Sequence, residues 1–422
     1  MNFAIEPAKY IIESLLDIDF YKFTMGQLIF HRYPNVRVKY ALKVRTKGAN
    51  LAKVIKEADL RRELDHVRTL RFRNSELHYL RGTNEYSDRM FKEDYLEFLK
   101  NLELTPYELK RAGDDYELTF DGLWSEAIYW ETLALAIINE LYYRVLMAEK
   151  TPFEQEAVYA TGKIRLAEKI KKLRANPQIT FSDFGTRRRF SRDWQEYVVR
   201  TLAAEVPKQL LGTSNVLLAH DCNLLPMGTA AHEMFMGMSG IMHGSDDEIR
   251  ASHNKAFEDW WDEYGFGLSI ALTDTYGSDY AFASMTKEQA EKWKGLRQDS
   301  GDPIEFGEKA IKFYKKHGVD PKTKFIVFSD GLDIDTMIKI TSHFRNKIKV
   351  AAFRTTYGWG TNLTNDLGFS ALSMVIKLVE SCGHGTVKLS DNLAKAMGKP
   401  EDIERFKRIF GHTVTLNESC TY

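Results

Sequence analysis

Val36, Val38, Tyr40, Leu42 and Val44 alternate with Arg37, Lys39, Ala41, Lys43 and Arg45. That period of two predicts a strand with one buried face and one basic, solvated face. Helical spacing follows around Leu51 to Val67 and Glu93 to Leu102, and Tyr116, Leu118 and Phe120 alternate again before Gly122. This opening region reads as α+β. From Ser125 the pattern changes to one helix reaching about Arg144, with Ile128, Leu135, Ile138 and Tyr142 on one side and Trp130, Ala134, Ile137 and Leu141 on another. A helix apolar on two sides is expected to be buried. Strand-then-helix units come next: Gln178 to Phe184 before a helix from Arg189, Leu268 to Leu272, Lys324 to Phe328 before a helix from about Asp333 to Phe344, and Ile348 to Phe353. Short, nearly continuous apolar runs of this kind predict a parallel sheet covered on both faces. After about Gly368 helix and loop are expected.

Seven polar motifs, most of them closing an apolar run, carry the candidate chemistry: Asp183-Phe-Gly-Thr-Arg-Arg-Arg189, Gly212-Thr-Ser-Asn215, Ala231-His-Glu233, Thr273-Asp-Thr-Tyr-Gly-Ser-Asp279, Arg297-Gln-Asp-Ser-Gly-Asp302, Ser329-Asp-Gly331 and Gly358-Trp-Gly-Thr361. Polar groups at the carboxyl ends of successive strands are how an α/β barrel assembles one active site. The glycine turns and hydroxyls suit phosphate, whereas Arg, carboxylates and a His suit an anionic substrate and a metal. The expected substrate is a phosphorylated sugar.

Each motif also has a plainer reading. Ser329-Asp-Gly331 and Gly358-Trp-Gly-Thr361 are each explained as strand-to-helix turns; as a pair on adjacent strands they form a phosphate cradle of backbone amides. Arg187, Arg188 and Arg189 at a helix start oppose the helix dipole, which points to a ligand, and an Arg there can grip a carboxylate in a bidentate pair beside a Phe184 ring. Arg297, Asp299 and Asp302 are a surface ion cluster or, at a strand end, a diphosphate and magnesium site. His232 is by itself most simply a structural histidine, and Asp274 and Asp279 are most simply helix caps. His220, Asp221, Cys222 and His232 match no common zinc spacing, and no Gly-x-x-x-x-Gly-Lys-[Ser/Thr] loop exists.

Composition narrows the classes further. The 59 basic residues balance 59 acidic ones, which removes a global electrostatic case for nucleic acid or an anionic membrane. Three scattered cysteines, Cys222, Cys382 and Cys420, argue against a disulfide framework and for a reducing cytoplasm. Acids at Glu6, Glu13, Asp17 and Asp19 argue against a signal peptide, and no apolar run reaches spanning length. At 422 residues, two domains are expected: an α+β domain from 1–124 joined by 369–422, and a barrel from 125–368.

In this order the motifs resemble the nicotinate phosphoribosyltransferase family, from Leu16-Asp-Ile-Asp-Phe-Tyr-Lys-Phe-Thr-Met25 through Ser182-Asp-Phe-Gly-Thr-Arg187, Leu211-Gly-Thr-Ser-Asn215, Pro226-Met-Gly-Thr-Ala-Ala-His-Glu233, Thr273-Asp-Thr-Tyr276 and Phe328-Ser-Asp-Gly-Leu-Asp333 to Val387-Lys-Leu-Ser-Asp391. The resemblance implies an irregular TIM-like α/β barrel with a separate α+β domain, assembled as a homodimer with active sites at the subunit interface. It implies transfer of phosphoribosyl from phosphoribosyl diphosphate to nicotinate, with magnesium, coupled to ATP through a phosphohistidine at His232. By the same resemblance Phe184 and Tyr21, the latter from the neighbouring subunit, sandwich the ring; Arg187 pairs with its carboxylate; Thr213 and Ser214 complete that pocket. Asp274 and Asp299 hold ribose or metal, with Asp302 a second metal candidate, and Arg297 holds diphosphate. Ser329, Gly331, Gly358, Gly360 and Thr361 hold the 5′-phosphate.

The near rival is a nicotinamide phosphoribosyltransferase, whose members carry an acid near the end of the segment matching Gly212 to Asn215. That segment has no carboxylate here, which favours the acid substrate. Quinolinate phosphoribosyltransferases are shorter and need further cations for a second carboxylate. A metal-dependent barrel hydrolase built on the His and Asp residues, and a phosphate-binding scaffold, are the readings from other classes. Trp359 departs from the aliphatic residue expected between the two glycines, so the shape of that loop is open.

Overall fold

The computed structural model describes residues 9–85, 88–346 and 354–418. In chain order the strands are β1 (Arg37–Val44), β2 (Asn84–Glu85), β3 (Asp88–Arg89), β4 (Tyr107–Ala112), β5 (Asp115–Leu123), β6 (Phe181–Asp183), β7 (Leu210–Thr213), β8 (Leu225–Pro226), β9 (Ile270–Leu272), β10 (Gly295–Gln298), β11 (Phe325–Phe328), β12 (Arg354–Trp359), β13 (Met374–Ser381) and β14 (His384–Gly385).

Seven of them form an all-parallel sheet in the order β8-β7-β6-β12-β11-β10-β9. Followed from β6 through β7 and β8, and on from β9 through β12 back to β6, that is simply chain order around a ring. Among the described residues the ring is open between β8 and β9. Helices His232–Ile241 and Asp246–Tyr264 occupy that stretch of chain, so His232 stands at the opening of the barrel. The strands are short because both faces are covered and the helices between them supply the rest of the core, as in barrel folds generally. The expected strand from Ile348 to Phe353 lies outside the described residues; β12 begins at Arg354.

The second sheet is antiparallel, in the order β14-β13-β1-β5-β4. It joins the two ends of the chain, because β1 pairs with β13 from Val38 opposite Ser381 to Val44 opposite Met374. Helix and loop were expected after Gly368, and β13 corrects this. Met374, Val375, Ile376 and Leu378 are all buried, so the strand has no alternation to reveal it. It is covered by helices His232–Ile241 and Trp130–Ala148. The predicted buried helix is present as Trp130–Ala148, after a short turn at Trp124–Ala127, and Trp130 to Leu141 is buried without interruption. Trp130 stacks on Phe120 at 4.6 Å, which ties this helix to the antiparallel sheet. A 24-residue helix, Pro152–Ala175, was not anticipated; its mostly solvated surface leaves a weak apolar stripe. Among the described residues no helix is long and apolar enough to cross a membrane.

Candidate active site

Six of the seven motifs meet at one end of the barrel, at the carboxyl ends of β6, β7, β9, β10, β11 and β12. Five of these six line two adjoining cavities of about 140 and 110 Å3, the Thr273 motif standing behind them, and Tyr21, Phe184, Arg187 and Arg297 line both. The seventh motif contributes His232 to the larger cavity through the helix that starts there.

The Phe184 platform follows from β12. A Cβ on Gly358 would lie 2.5 Å from the Phe184 ring, so only glycine lets the ring lie against this strand. The strand also explains Trp359. Side chains alternate across a strand, so Gly358 and Gly360 border the larger cavity while Trp359 turns into the core, fully buried against Phe181 and beneath the Lys169 ammonium. Its bulk leaves the loop open.

Arg187 is held from two sides. Its Nη1 donates to Glu131 Oε1 at 3.3 Å, and its Nε is 3.2 Å from Asp19 Oδ2. Nη2 has no protein partner among the described residues, and the guanidinium lies 5.6 Å from the Tyr21 ring centre. Tyr21 of this chain lines both cavities. Behind it is a buried ion network: Glu131 also accepts from Lys377 at 3.0 Å and Tyr21 Oη at 3.2 Å, and Lys22 bridges Glu131 at 2.7 Å and Glu233 at 2.6 Å. Burial alone would raise the Glu131 carboxyl, but Lys22, Lys377 and Arg187 hold it well below the usual carboxylate range. Ser214 lines the smaller cavity. Thr213 does not: its hydroxyl donates to buried Asp183 at 2.8 Å and its oxygen accepts the Asn215 amide, so it shapes the turn instead. Asp183 also accepts from Gln195 and the Gly185 amide, and burial pushes its carboxyl up to about 6.

On the larger side, Arg297 Nη2 donates to Asp299 Oδ1 at 3.0 Å, and Ser329 accepts from Arg297 Nε at 2.9 Å while donating to Asp299 at 2.7 Å. Gly331 has φ +54, a conformation that favours glycine, and with Gly358, Gly360 and Thr361 it lines this side. His232 Nε2 lies 2.9 Å from Asp299 Oδ2 and 2.8 Å from Lys388 Nζ, and Nδ1 lies 3.0 Å from Thr275 Oγ1. Burial, and then the Lys388 charge, push His232 down to about 4, so the ring is neutral at pH 7. Burial lowers Lys388 to about 8, with Asp274 and Asp299 opposing the shift.

Asp274 stands behind this row rather than in the cavity. Its Oδ2 accepts from Ser300 at 2.5 Å, and its Oδ1 is buried without a hydrogen-bond partner. His232, Asp274 and Asp299 bring potential ligand atoms within 4.8 Å of one another. The unpartnered oxygen and two hard carboxylates fit magnesium, whereas the Lys388 ammonium on Nε2 opposes His232 as a ligand. Asp302 is elsewhere: it caps helix Pro303–Lys316, accepting the Ile304 and Glu305 amides at 2.8 Å each, and does not line either cavity. Asp279 pairs with Lys309 on the surface.

Sequence reasoning missed three cavity lysines, Lys377, Lys388 and Lys395. Lys395 donates to the Asp299 carbonyl at 2.7 Å and pairs with Asp330. A usable signal existed in Lys377 and Lys388, single lysines inside the apolar strings Val375-Ile-Lys-Leu-Val379 and Val387-Lys-Leu389, because a lysine in a buried string needs a counter-charge.

With its cavity walled by strand ends and floored by a neutral histidine among cations, the chain is an enzyme of the α/β-barrel class. It belongs to the nicotinate phosphoribosyltransferase (NAPRTase) family: the profile of that family matches residues 179–414, and that of the family's N-terminal domain residues 16–139. Solved structures agree. A nicotinate phosphoribosyltransferase from Vibrio cholerae is similar at 33% identity and a TM-score of 0.84 over 98% of this chain and 97% of that one. One from Porphyromonas gingivalis is similar at 32% identity and a TM-score of 0.82 over 95% of this chain and 100% of that one.

Proposed function

We propose that the protein joins nicotinate to 5-phosphoribosyl 1-diphosphate, giving nicotinate mononucleotide and diphosphate, in salvage of the free acid towards NAD. The observation that carries this reading is Arg187, which offers an unengaged Nη2 in a cavity floored by the Phe184 ring and walled by Tyr21. A guanidinium and two aromatic faces suit a flat aromatic acid. The pyridine nitrogen attacks the anomeric carbon as the bond to diphosphate breaks, through an oxocarbenium-like transition state. Ser329, Gly331, Gly358, Gly360 and Thr361 hold the 5′-phosphate. Arg297, joined by Lys388 and Lys395, holds the departing diphosphate. Asp299 and Asp274 are the residues that would hold magnesium, which neutralises charge on the leaving group when bound.

In the same proposal ATP phosphorylates His232, a neutral imidazole being a competent nucleophile: a nitrogen–phosphorus bond forms, ADP leaves, and water later cleaves the phosphohistidine. The working assembly is a homodimer in the cytoplasm. Activity measured above and below the dimer dissociation concentration tests whether the site needs the partner subunit.

One observation favours a second reading. Asp19 brings a carboxylate to the base cavity, where it could accept from a carboxamide, so nicotinamide is the rival substrate. Both readings are tested by mononucleotide formation from phosphoribosyl diphosphate and magnesium with nicotinate or nicotinamide, each with and without ATP. Nicotinate-selective product raised by ATP is expected; product from nicotinamide alone reassigns the pocket, and product from neither points to a hydrolase or a binding protein.

A further inference from the structure

Residues 212–215 hold no carboxylate, yet the fold brings one to them. An antiparallel bridge between Asp19 and Asn215, and a 2.7 Å bond from the Phe20 amide to the Ser214 carbonyl, dock the N-terminal segment on the end of β7. Asp19 is 1% exposed, and its Oδ1 accepts the Ser214 hydroxyl at 2.6 Å. Asp19 lines the smaller cavity, and its Oδ2 is buried without a hydrogen-bond partner, facing Arg187 Nε at 3.2 Å. A buried, unpartnered carboxylate oxygen on a cavity wall asks for a proton or a donor.

The charged and titratable groups facing Asp19 are Arg187, Glu131, Lys22, Tyr21 and Asp183. Arg187 faces Glu131 as well as Asp19, and it is the cation that the base-pocket reading gives to the ligand carboxylate, which therefore comes up against Asp19. A ligand carboxylate brought against Asp19 adds like charge beside an already buried carboxyl, which favours the protonated form of Asp19. Burial already raises the Asp19 carboxyl above its ordinary range, against Arg187 and Ser214. We propose that Asp19 takes up a proton from solvent as nicotinate binds and donates it in a hydrogen bond from Oδ2 to the substrate carboxylate, so that its protonation selects acid over amide. This rests on the reading of Arg187 as the carboxylate partner. Protonated Asp19 is a donor and suits the acid; ionised Asp19 is an acceptor that repels the acid and suits a carboxamide. Rising pH therefore weakens the acid and leaves the amide.

The test uses benzoate and benzamide, which lack the attacking nitrogen, as competitors of nicotinate between pH 6 and pH 9. For the native protein the benzoate inhibition constant is expected to rise with pH, approaching roughly tenfold per unit above the Asp19 titration, while that of benzamide stays flat. In Asp19→Asn, whose amide donates at every pH, both are expected to be flat. A constant benzoate-to-benzamide ratio in the native protein, with benzoate still weakened by Arg187→Ala, overturns the role of Asp19 alone. Benzoate that fails to compete, or binds Arg187→Ala as tightly as the native protein, removes the base-pocket reading and this inference with it.

Discussion

The two sides of the cavity are built from different materials. The side proposed for the base is a network of full charges, in which Arg187, Lys22 and Lys377 converge on Glu131 with Asp19 and Glu233 at its edges. The side proposed for phosphate is mostly backbone and hydroxyl, from Ser329, Gly331, Gly358, Gly360 and Thr361, with cations at its rim. Fixed charge fitted to one planar anion gives discrimination, because any mismatch strands a buried ion. Amides and hydroxyls hold phosphate through many small contributions, so the loss of one is tolerated. The base side should therefore be brittle and the phosphate side forgiving.

The largest expected effect breaks neither side but the row between them. His232→Ala is expected to lose all ATP stimulation while retaining basal transfer, measured as product formed with and without ATP; retained stimulation would remove His232 as phosphoacceptor. Arg187→Ala comes next, with a loss of nicotinate affinity of about 3 kcal/mol and a phosphoribosyl diphosphate KM that changes little. Equal changes in both KM values would show that the two sides are not separable. Glu131→Gln should lower stability by about 3 kcal/mol in urea unfolding, because two buried lysines and the half-buried Arg187 lose their shared counter-charge; a drop below about 1 kcal/mol would deny the network its structural weight. Ser329→Ala, on the forgiving side, is expected to cost only about 1 kcal/mol in phosphoribosyl diphosphate affinity.

The pH behaviour sharpens the same contrast. His232 is lowered to about 4 in the fold, so it stays neutral, and able to attack phosphorus, well below the ordinary histidine range. ATP stimulation is thus expected to persist as pH falls from 7 to 5 and to fade only near 4, measured as the ratio of rates with and without ATP. An acid limb centred near 6.5 would show a solvated, not a buried, imidazole.

Much of this was legible in the sequence because barrels place chemistry at strand ends, and polar motifs closing apolar runs are visible without a structure. The Phe184 with Arg187 pairing and the Ser329 and Gly358 turns were read this way. What failed to show has definite causes. Asp302 was grouped with Asp299 by proximity in sequence, but a cap needs only its own helix, and that use won. Thr213 ends β7 with its hydroxyl spent on Asp183 and the Asn215 amide, and only Ser214, just past the strand, reaches the cavity. Asp19 and the three lysines come from the ends of the chain, and no periodicity links residue 19 to residue 187, or 388 to 232. β13 was hidden because burial on both faces erases alternation.

The pairing of β1 with β13 also has a temporal meaning. Val38 leaves the ribosome more than three hundred residues before its partner Ser381, on the order of tens of seconds at ordinary synthesis rates. During that interval one edge of β1 stands open, the situation in which strands find wrong partners. Lys377 and Lys388 arrive in the same late segment, so the growing chain carries an almost finished barrel that still lacks two of the cations lining its larger cavity. Completion of the cavity lining and closure of the vulnerable edge therefore come together, once β13 and the segment just after it have been made.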